Sequence, residues 1–399
     1  MSFPGNLFHP ARRDLTLMRA YYFFFMGGGG FIMPFTNLFY VSLGLSGRQI
    51  GTFASVSAVV GLVMAPMWVN QSKRQARPVR FLQLALAAGA LCYLLVANQT
   101  AFWPIAVIVF FQALVSAGIG PMSDAQAVNI AQSADTGYGS VRVWASVGWI
   151  VAVLSSGRLI ESFGFKIGFL GTALGLVTGS LLLFFIHPQP PSGQKAIGQP
   201  QTSLRVAAKR VLADRTLLGF ALALVFIGFL NNGVGQFENV FLSRLGASKS
   251  LISVAGILSA IVELPFMLFA DRIMRRFGAH RLLLFAMLMN AFYRLIVFFF
   301  PSIYTIMAVR FIGGTSFSLY TVAFVGLISG RTPSSETGTV LALFTVTLGG
   351  GVNIIASPLA GALFDAIGPR WLYALSLAGY LAAFSALWLT RPEKMVGRN

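Results

Sequence analysis

The chain alternates long apolar runs with short polar gaps. A helix needs about 20 mostly apolar residues to cross a bilayer. Twelve runs reach that length, at about 15–43, 49–70, 80–98, 101–130, 139–161, 164–187, 216–243, 250–270, 281–300, 302–329, 338–364 and 370–390. The first run carries no cleavage pattern and is too long for the apolar part of a signal peptide, so it reads as a retained span. Most gaps are only a few residues long. The exception, Pro188–Arg215, opens with Pro, Gly, Ser and Gln at linker density. Its second half, "TSLRVAAKRVLADR", sets Leu204, Ala207, Ala208, Val211 and Leu212 at helical spacing with basic residues between. That pattern predicts a short amphipathic helix on the membrane surface. The pattern as a whole predicts an all-α polytopic membrane protein of twelve transmembrane helices. A six-helix bundle over 1–187, a cytoplasmic linker over 188–215 and a second six-helix bundle over 216–399 make up the expected domains.

The halves repeat each other. "LGLS" at Leu43–Ser46 returns as "LGAS" at Leu245–Ser248, an offset of 202 residues. The same offset carries Ile50 onto Ile252 and Lys73-Arg74 onto Arg275-Arg276. Two six-span repeats with a cleft at mid-membrane are an architecture of alternating-access transporters.

Composition agrees with the pattern. Of 399 residues 56% are hydrophobic and 10% charged, against about 25% charged in soluble domains. The formal net charge of +18 invites a nucleic-acid reading, but the Lys and Arg sit in short gaps rather than on one soluble face. With the N-terminus inside, one set of gaps holds Arg12, Arg13, Lys73, Arg74, Arg77, Arg80, Lys195, Arg205, Lys209, Arg210, Arg272, Arg275, Arg276, Arg281 and Arg331, and the tail adds more. The opposite gaps hold Arg48, Lys166, Arg244, Lys249 and Arg370. This asymmetry predicts cytoplasmic termini in a multi-pass cell-membrane protein, expected in a bacterial inner membrane. A lone cysteine and three histidines give no disulfide and no zinc spacing. No metal, no cofactor and no nucleic acid are expected.

Twelve spans, a 6+6 split and a basic central linker resemble the major facilitator superfamily. "FADRIMRRFGAHR", Phe269–Arg281, is similar to that family's loop signature, which implies a cytoplasmic gating loop around Asp271, Arg272, Arg275 and Arg276. The equivalent stretch in the first half, "WVNQSKRQARP", departs from it. Val69 falls opposite Asp271 on the repeat offset, so the acid is missing there.

A charge at the bilayer centre costs at least about 2.5–3.5 kcal/mol on insertion scales, so it should be paired or face a wet cavity. Asp124, Arg142, Glu238, Glu263, Arg294 and Arg310 are the intramembrane candidates. Asp124 and Arg142 each lie nine residues from Ser133, in the turn between their spans. At 1.5 Å per residue both stand at the same depth, at most about 14 Å from that turn, and contact is possible. Glu263 and Arg294 are likewise centred on Gly278–Ala279. Each pair either neutralises itself and locks two helices or serves the transported solute, and Arg142 could instead snorkel to the interface. Asn231, Asn232 and Gln236 form a polar stripe in span seven that lines a cavity or bonds between helices.

"GYGSVRVWASVGW" is similar to the start of the fifth helix in the lactose-permease family, including its phenylpropionate-permease-like members. There a carboxylate in helix four stands at the spacing of Asp124 before the Arg that matches Arg142. The resemblance implies that Asp124 and Arg142 bind substrate and that Trp149 forms an apolar platform. In span ten "VRFIGGTSF" keeps the family's base at Arg310, but Gly313 and Ser316 stand where the family has His and Glu. If protons drive the cycle, another acid must carry them. Glu263, slightly favoured, Glu238 and Asp124 are the candidates, with Arg294 as charge-pair partner.

The expected activity is therefore secondary active transport, a proton-coupled uptake of a small organic solute such as a sugar or an aromatic carboxylate, by a monomer in the lipid bilayer. Export of drugs or sugars, or import of another solute such as a siderophore, is the alternative. A membrane enzyme or a sensor is disfavoured, because neither a nucleophile–base set nor a soluble output segment is found.

Overall fold

The structure is a computed structural model that describes residues 10–74, 78–187 and 203–391. Among these, every regular element is a helix. The chain separates into two compact units, one of Met1–Leu45, Val59–Gln194 and Ser248–Val254, the other of Ser46–Ala58, Lys195–Ala247 and Ala255–Asn399. The first carries α1 (Pro10–Ile32), a 3-10 turn (Met33–Phe35), α2 (Thr36–Ser42), most of α3 (Gly47–Arg74), α4 (Pro78–Val96), α5 (Phe102–Ser116), α6 (Ile119–Ser133), α7 (Gly139–Phe163) and α8 (Phe165–Phe184). The second carries α9 (Leu204–Ala213), α10 (Arg215–Leu230), α11 (Asn232–Arg244), most of α12 (Lys249–Phe277), α13 (Ala279–Phe299), α14 (Ile303–Ser329), α15 (Ser334–Ala342), a π-helical turn (Leu343–Leu348) and α16 (Gly349–Leu389). The division is not the contiguous one expected. The first turns of α3 group with the second unit and those of α12 with the first.

Among the described residues eleven helical stretches are long and apolar enough to cross a membrane, and the last runs 56 residues, Ser334–Leu389. At 1.5 Å per residue that length is far more than one crossing. It breaks at Gly368, whose φ of 77° and ψ of 168° are not helical, just before Pro369. Two crossings result, and the fold is the twelve-span all-α one. Three spans are each split into two helices. The first breaks at the 3-10 turn, which contains Pro34, and proline removes a helix donor. The fourth breaks at Ala117–Gly118, where a side chain on Gly118 would run into Trp68. Trp68 Nε1 also donates to Leu114 O at 2.6 Å, bonding a carbonyl in the last turn of α5. The seventh breaks at Asn231, between α10 and α11.

The 202-residue offset is a repeat of backbone geometry. Gly44 and Gly246 take φ of 80° and 93°, a region that only glycine enters freely. Around each, the same two bonds close the helix end. Gly44 N–H reaches Val41 O at 3.0 Å and Leu45 N–H reaches Tyr40 O at 3.2 Å, while Gly246 reaches Ser243 O at 3.0 Å and Ala247 reaches Leu242 O at 3.0 Å. The helices that follow begin alike. In the second unit the Asp365 carboxylate accepts from Gly47 N–H at 2.7 Å and Arg48 N–H at 3.0 Å. In the first unit Glu161 accepts from Ser250 Oγ at 2.5 Å and from Ser250 N–H at 3.3 Å. An acid at a helix N-terminus answers both the orphan donors and the dipole.

One expectation is corrected. The presumed gating loop at Asp271, Arg272, Arg275 and Arg276 is the last two turns of α12. All four residues are exposed. The reversal is confined to Gly278, at φ 84°, because a single left-handed glycine suffices to end one helix and start the next. The linker helix forms as α9. Ala207 and Val211 are buried in the core of the second unit, whereas Leu204 and Leu212 are exposed. Arg210 of α9 pairs with Glu336 of α15. Residues 188–202 lie outside the described residues. At the start of α10, Asp214 accepts from Thr216 N–H at 2.8 Å and Leu217 N–H at 2.9 Å and pairs with Arg331 at 3.1 Å. Burial opposes its ionised form, but these N–H donors and Arg331 outweigh it and hold the carboxyl below its ordinary value. The stability it contributes is present above that ordinary value and is lost as pH falls through the folded one.

In the first unit α1 packs on α7 and α8 through glycine. A Cβ on Gly175 would stand 2.5 Å from Gly28 Cα and 2.7 Å from Phe24 O, and one on Gly148 would stand 2.1 Å from Phe23 O. Without a hydrophobic drive between helices in lipid, such close backbone approach is what holds spans together. Gly175→Val should therefore lower stability by about 1–3 kcal/mol through overpacking, read as a lower unfolding temperature in detergent. An unchanged temperature would show that α8 can move away from α1 at no cost.

Candidate functional site

The second unit holds a buried polar network built from four helices and the break between α10 and α11. Glu238, on α11, forms an ion pair with Arg310 on α14. The same carboxylate accepts from Tyr293 Oη at 2.7 Å and Tyr373 Oη at 2.9 Å, on α13 and α16. Both tyrosines are buried. Next to this group lies Arg294, 7% exposed. Its guanidinium donates to Asn290 Oδ1 at 2.9 Å, Asn231 Oδ1 at 3.2 Å and Ser376 Oγ at 3.3 Å. It also lies 4.1 Å from the Tyr293 ring centre and 5.0 Å from that of Tyr380, cation–π range. Asn290 continues to Ser316 Oγ at 2.5 Å, and Ser376 donates to Asn231 Oδ1 at 2.7 Å. Two bases and one acid are thus held by partners within the protein. One buried donor, Arg310 Nε, has no partner.

Beside the network a cavity of about 380 Å³ opens within the same unit, lined by Asn231, Asn232, Gln236, Asn353, Ser357 and small apolar residues including Gly228 and Gly235. Asn232 Nδ2 donates to Asn353 Oδ1 at 2.8 Å, and Gln236 donates to Asn232 Oδ1. An added Cβ at Gly235 would meet nothing within 4 Å, whereas one at Gly228 would stand 2.6 Å from the Val352 side chain. The volume falls within the about 300–1,000 Å³ usual for small-molecule sites.

In the first unit Asp124 is held by two phenols, Tyr22 Oη at 2.6 Å and Tyr138 Oη at 2.8 Å. Tyr21 and Ser123 make a parallel contact at 2.6 Å between the same two helices, α1 and α6. Trp149 is half-buried on α7, and an added side chain at Gly29 would come 3.7 Å from its ring. Arg142 is exposed.

Neither charge pair inferred from matched depth is formed. Among the described residues Asp124 and Arg142 make no ion pair with each other, and neither do Glu263 and Arg294. Distance from a turn fixes depth along a helix but not the direction a side chain faces around it. Asp124 faces Tyr22 on α1, and Arg294 faces α10 and α16. The acid of these that finds a base is Glu238, and Glu263 is half-buried with no ion pair among the described residues. Of the polar stripe in span seven, Asn231 bonds between helices and all three members line the cavity, so both functions named for it apply.

The sequence reading missed Tyr22, Tyr138, Asn290, Tyr293, Tyr373, Ser376 and Asn353. Asn290 sits four residues before Arg294, a helical neighbour, and was legible on that ground. The tyrosines carried no such mark.

Residues 15–375 match the MFS_1 like family. The chain belongs to this family of major facilitator transporters. It is 27% identical over 359 residues to a maltose permease of Geobacillus stearothermophilus, covering 89% of each chain. It is 25% identical over 375 residues to a multi-drug resistance efflux pump of Streptococcus pneumoniae serotype 4, covering 90% of each. In fold it is similar to the crystal structure of a nucleoside transporter, NupG, with a TM-score of 0.79 at 14% identity over 96% of this chain and 100% of the other. The protein is therefore a multi-pass membrane transporter and not an enzyme.

Removing one member of a buried ion pair leaves the other charge uncompensated and costs about 3–5 kcal/mol, while replacing both can be near neutral. Arg310→Met or Glu238→Leu alone should lower the unfolding temperature sharply, and the double variant should recover most of it. A double variant as unstable as the sum of the singles would mean that the two charges act independently.

Proposed function

We propose that the transporter is a proton-coupled uptake carrier for a small, hydroxyl-rich solute such as a sugar, working as a monomer by alternating access. The observation that carries this reading is the amide-lined cavity. Asn231, Asn232, Gln236 and Asn353 present donors and acceptors together, and no charged side chain lines the cavity. Hydroxyl groups need such mixed partners. An aromatic carboxylate would need a free base at this cavity, and Arg294 and Arg310, the bases of this unit's network, are both engaged by protein groups. A relative named as a maltose permease is in line with this class. Asp124, Arg142 and Trp149 stay substrate-binding candidates in the first unit, where the exposed guanidinium of Arg142 has its donors available.

Proton coupling is assigned to Glu238 rather than Glu263 or Asp124. Protonating Glu238 would take away the partner of Arg310 and loosen two phenol bonds at once, which links one proton to four helices. Glu263 has no ion pair to switch. The basic residues of the gaps support cytoplasmic termini in a cell membrane. The match to an efflux pump favours outward transport as the second reading, and the sidedness of accumulation decides between the two.

Proteoliposomes loaded with unlabelled solute allow counterflow against a sugar panel without a gradient, and accumulation with an imposed pH gradient. Glu238→Gln should keep counterflow and lose gradient-driven accumulation, whereas Glu263→Gln keeps both. The opposite result moves the proton to Glu263, and loss of neither removes proton coupling. Asn232→Ala and Asn353→Ala should each raise KM up to about tenfold, the value of a lost hydrogen bond to a neutral group, and Arg142→Ala should abolish uptake while the protein still inserts. Unchanged KM in both amide variants would place the solute elsewhere.

A further inference from the structure

The second unit contains a larger cavity, of about 1110 Å³, that the transport site does not use. It lies where five helices reach one end of the unit, between the start of α10, the α12–α13 turn and the ends of α14 and α16. Arg215, His280, Arg281, Arg331 and Arg391 line it, and among the described residues no Asp or Glu does. Four guanidinium groups therefore meet in one concavity, with a single acid, Asp214, paired to one of them.

Their present partners differ. Arg215 donates to Leu389 O at 3.3 Å, and His280 Nε2 lies 3.0 Å from Leu387 O, so both serve the carbonyls at the end of α16. Arg391 rests on the Trp388 ring, 5.4 Å from its centre, with no ion pair among the described residues. Arg281 is exposed and has none either. Two guanidinium groups are thus free to bind an anion, and a third, Arg331, stands behind them. The other wall is apolar. Phe277, Trp388 and Leu389 are 52%, 47% and 69% exposed beside these charges. Tryptophan at a span end, next to arginine, is the arrangement of a membrane interface.

We propose that this cavity binds an anionic phospholipid, with its phosphodiester on Arg281 and Arg391 and its acyl chains along Phe277, Trp388 and Leu389. The guanidinium fork matches phosphate oxygens, and basic pockets at the ends of spans suit anionic headgroups. A free phosphate would use the bases but leave the apolar wall and most of the volume unused.

The purified full chain is mixed with equal amounts of phosphatidylglycerol and phosphatidylcholine of identical acyl chains, and the retained lipids are counted by native mass spectrometry at physiological ionic strength. Wild type should retain phosphatidylglycerol preferentially. The Arg281→Gln/Arg391→Gln variant should lose about thirtyfold of that preference, and each single variant about fivefold, from the usual worth of one basic residue at a charged membrane surface. The single variants keep the test usable if the double one is unstable. Arg281→Lys/Arg391→Lys should keep most of the preference, as should Arg272→Gln/Arg275→Gln on the exposed end of α12. Equal retention in wild type and the double Gln variant would overturn the proposal. So would an equal drop in the α12 control, which would mean unspecific attraction. Displacement of the lipid by equimolar inorganic phosphate would also overturn it, by showing a phosphate site.

Discussion

Hydrocarbon offers no hydrogen bonds, so each polar group placed in a span must find its partner inside the protein. The buried network of the second unit is the fullest expression of this constraint. Glu238 takes one guanidinium and two phenols, and Arg294 takes two amides and a hydroxyl. These groups come from α11, α13, α14 and α16 and from Asn231, at the break between α10 and α11. The network therefore orients four helices and that break as well as housing three charges. Ion pairs of this kind are weak contributors to net stability, because desolvation offsets attraction. Their value lies in specificity, since only one rotation of each helix satisfies all the partners. A proton-loading group could not be set in a more consequential place.

The same constraint explains the broken spans. A helix interrupted within the membrane exposes backbone groups that water cannot reach. The chain interrupts its fourth and seventh spans only where a side chain or a neighbour answers. Trp68 reaches the end of α5, and Asn231 turns its amide into the polar network. Where side chains would prevent approach, glycine replaces them, as at Gly28, Gly148 and Gly175. Close backbone packing and polar satisfaction together supply what the hydrophobic effect supplies in water.

How much of this was legible follows from which information is one-dimensional. Spans, linker and repeat depend on runs of apolar residues and on glycine turns, and all three can be read along the chain. Leu43–Ser46 and Leu245–Ser248 predicted a repeat that the backbone realises bond for bond. Depth within a span is also one-dimensional, and counting from the turn is what set Asp124 level with Arg142. Facing is not. Each residue turns the helix by about 100°, and a few residues of uncertainty in a boundary erase knowledge of which neighbour a side chain meets. Glu238 and Arg310 lie 72 residues apart, on spans that are not consecutive, and no local spacing connects them. The tyrosines that hold Asp124 and Glu238 read as ordinary apolar members of their spans, because a phenol is largely ring and shows its polarity only at the tip.

The π-helical turn at Leu343–Leu348 has a bearing on the chain's history. The halves are offset by 202 residues at Gly44 and Gly246, but by 204 at Gly164 and Gly368. The second half is thus longer by two residues over that interval. A turn closed from residue i to i+5 holds one more residue than an α-turn. Such a turn can take up one of those two residues locally while the helix on either side keeps its facing. Inserted anywhere else in a regular span, that residue would rotate everything beyond it by about 100°. The wide turn is thus a buffer against sequence length, where a duplicated half can drift from its twin without losing the register of its polar face.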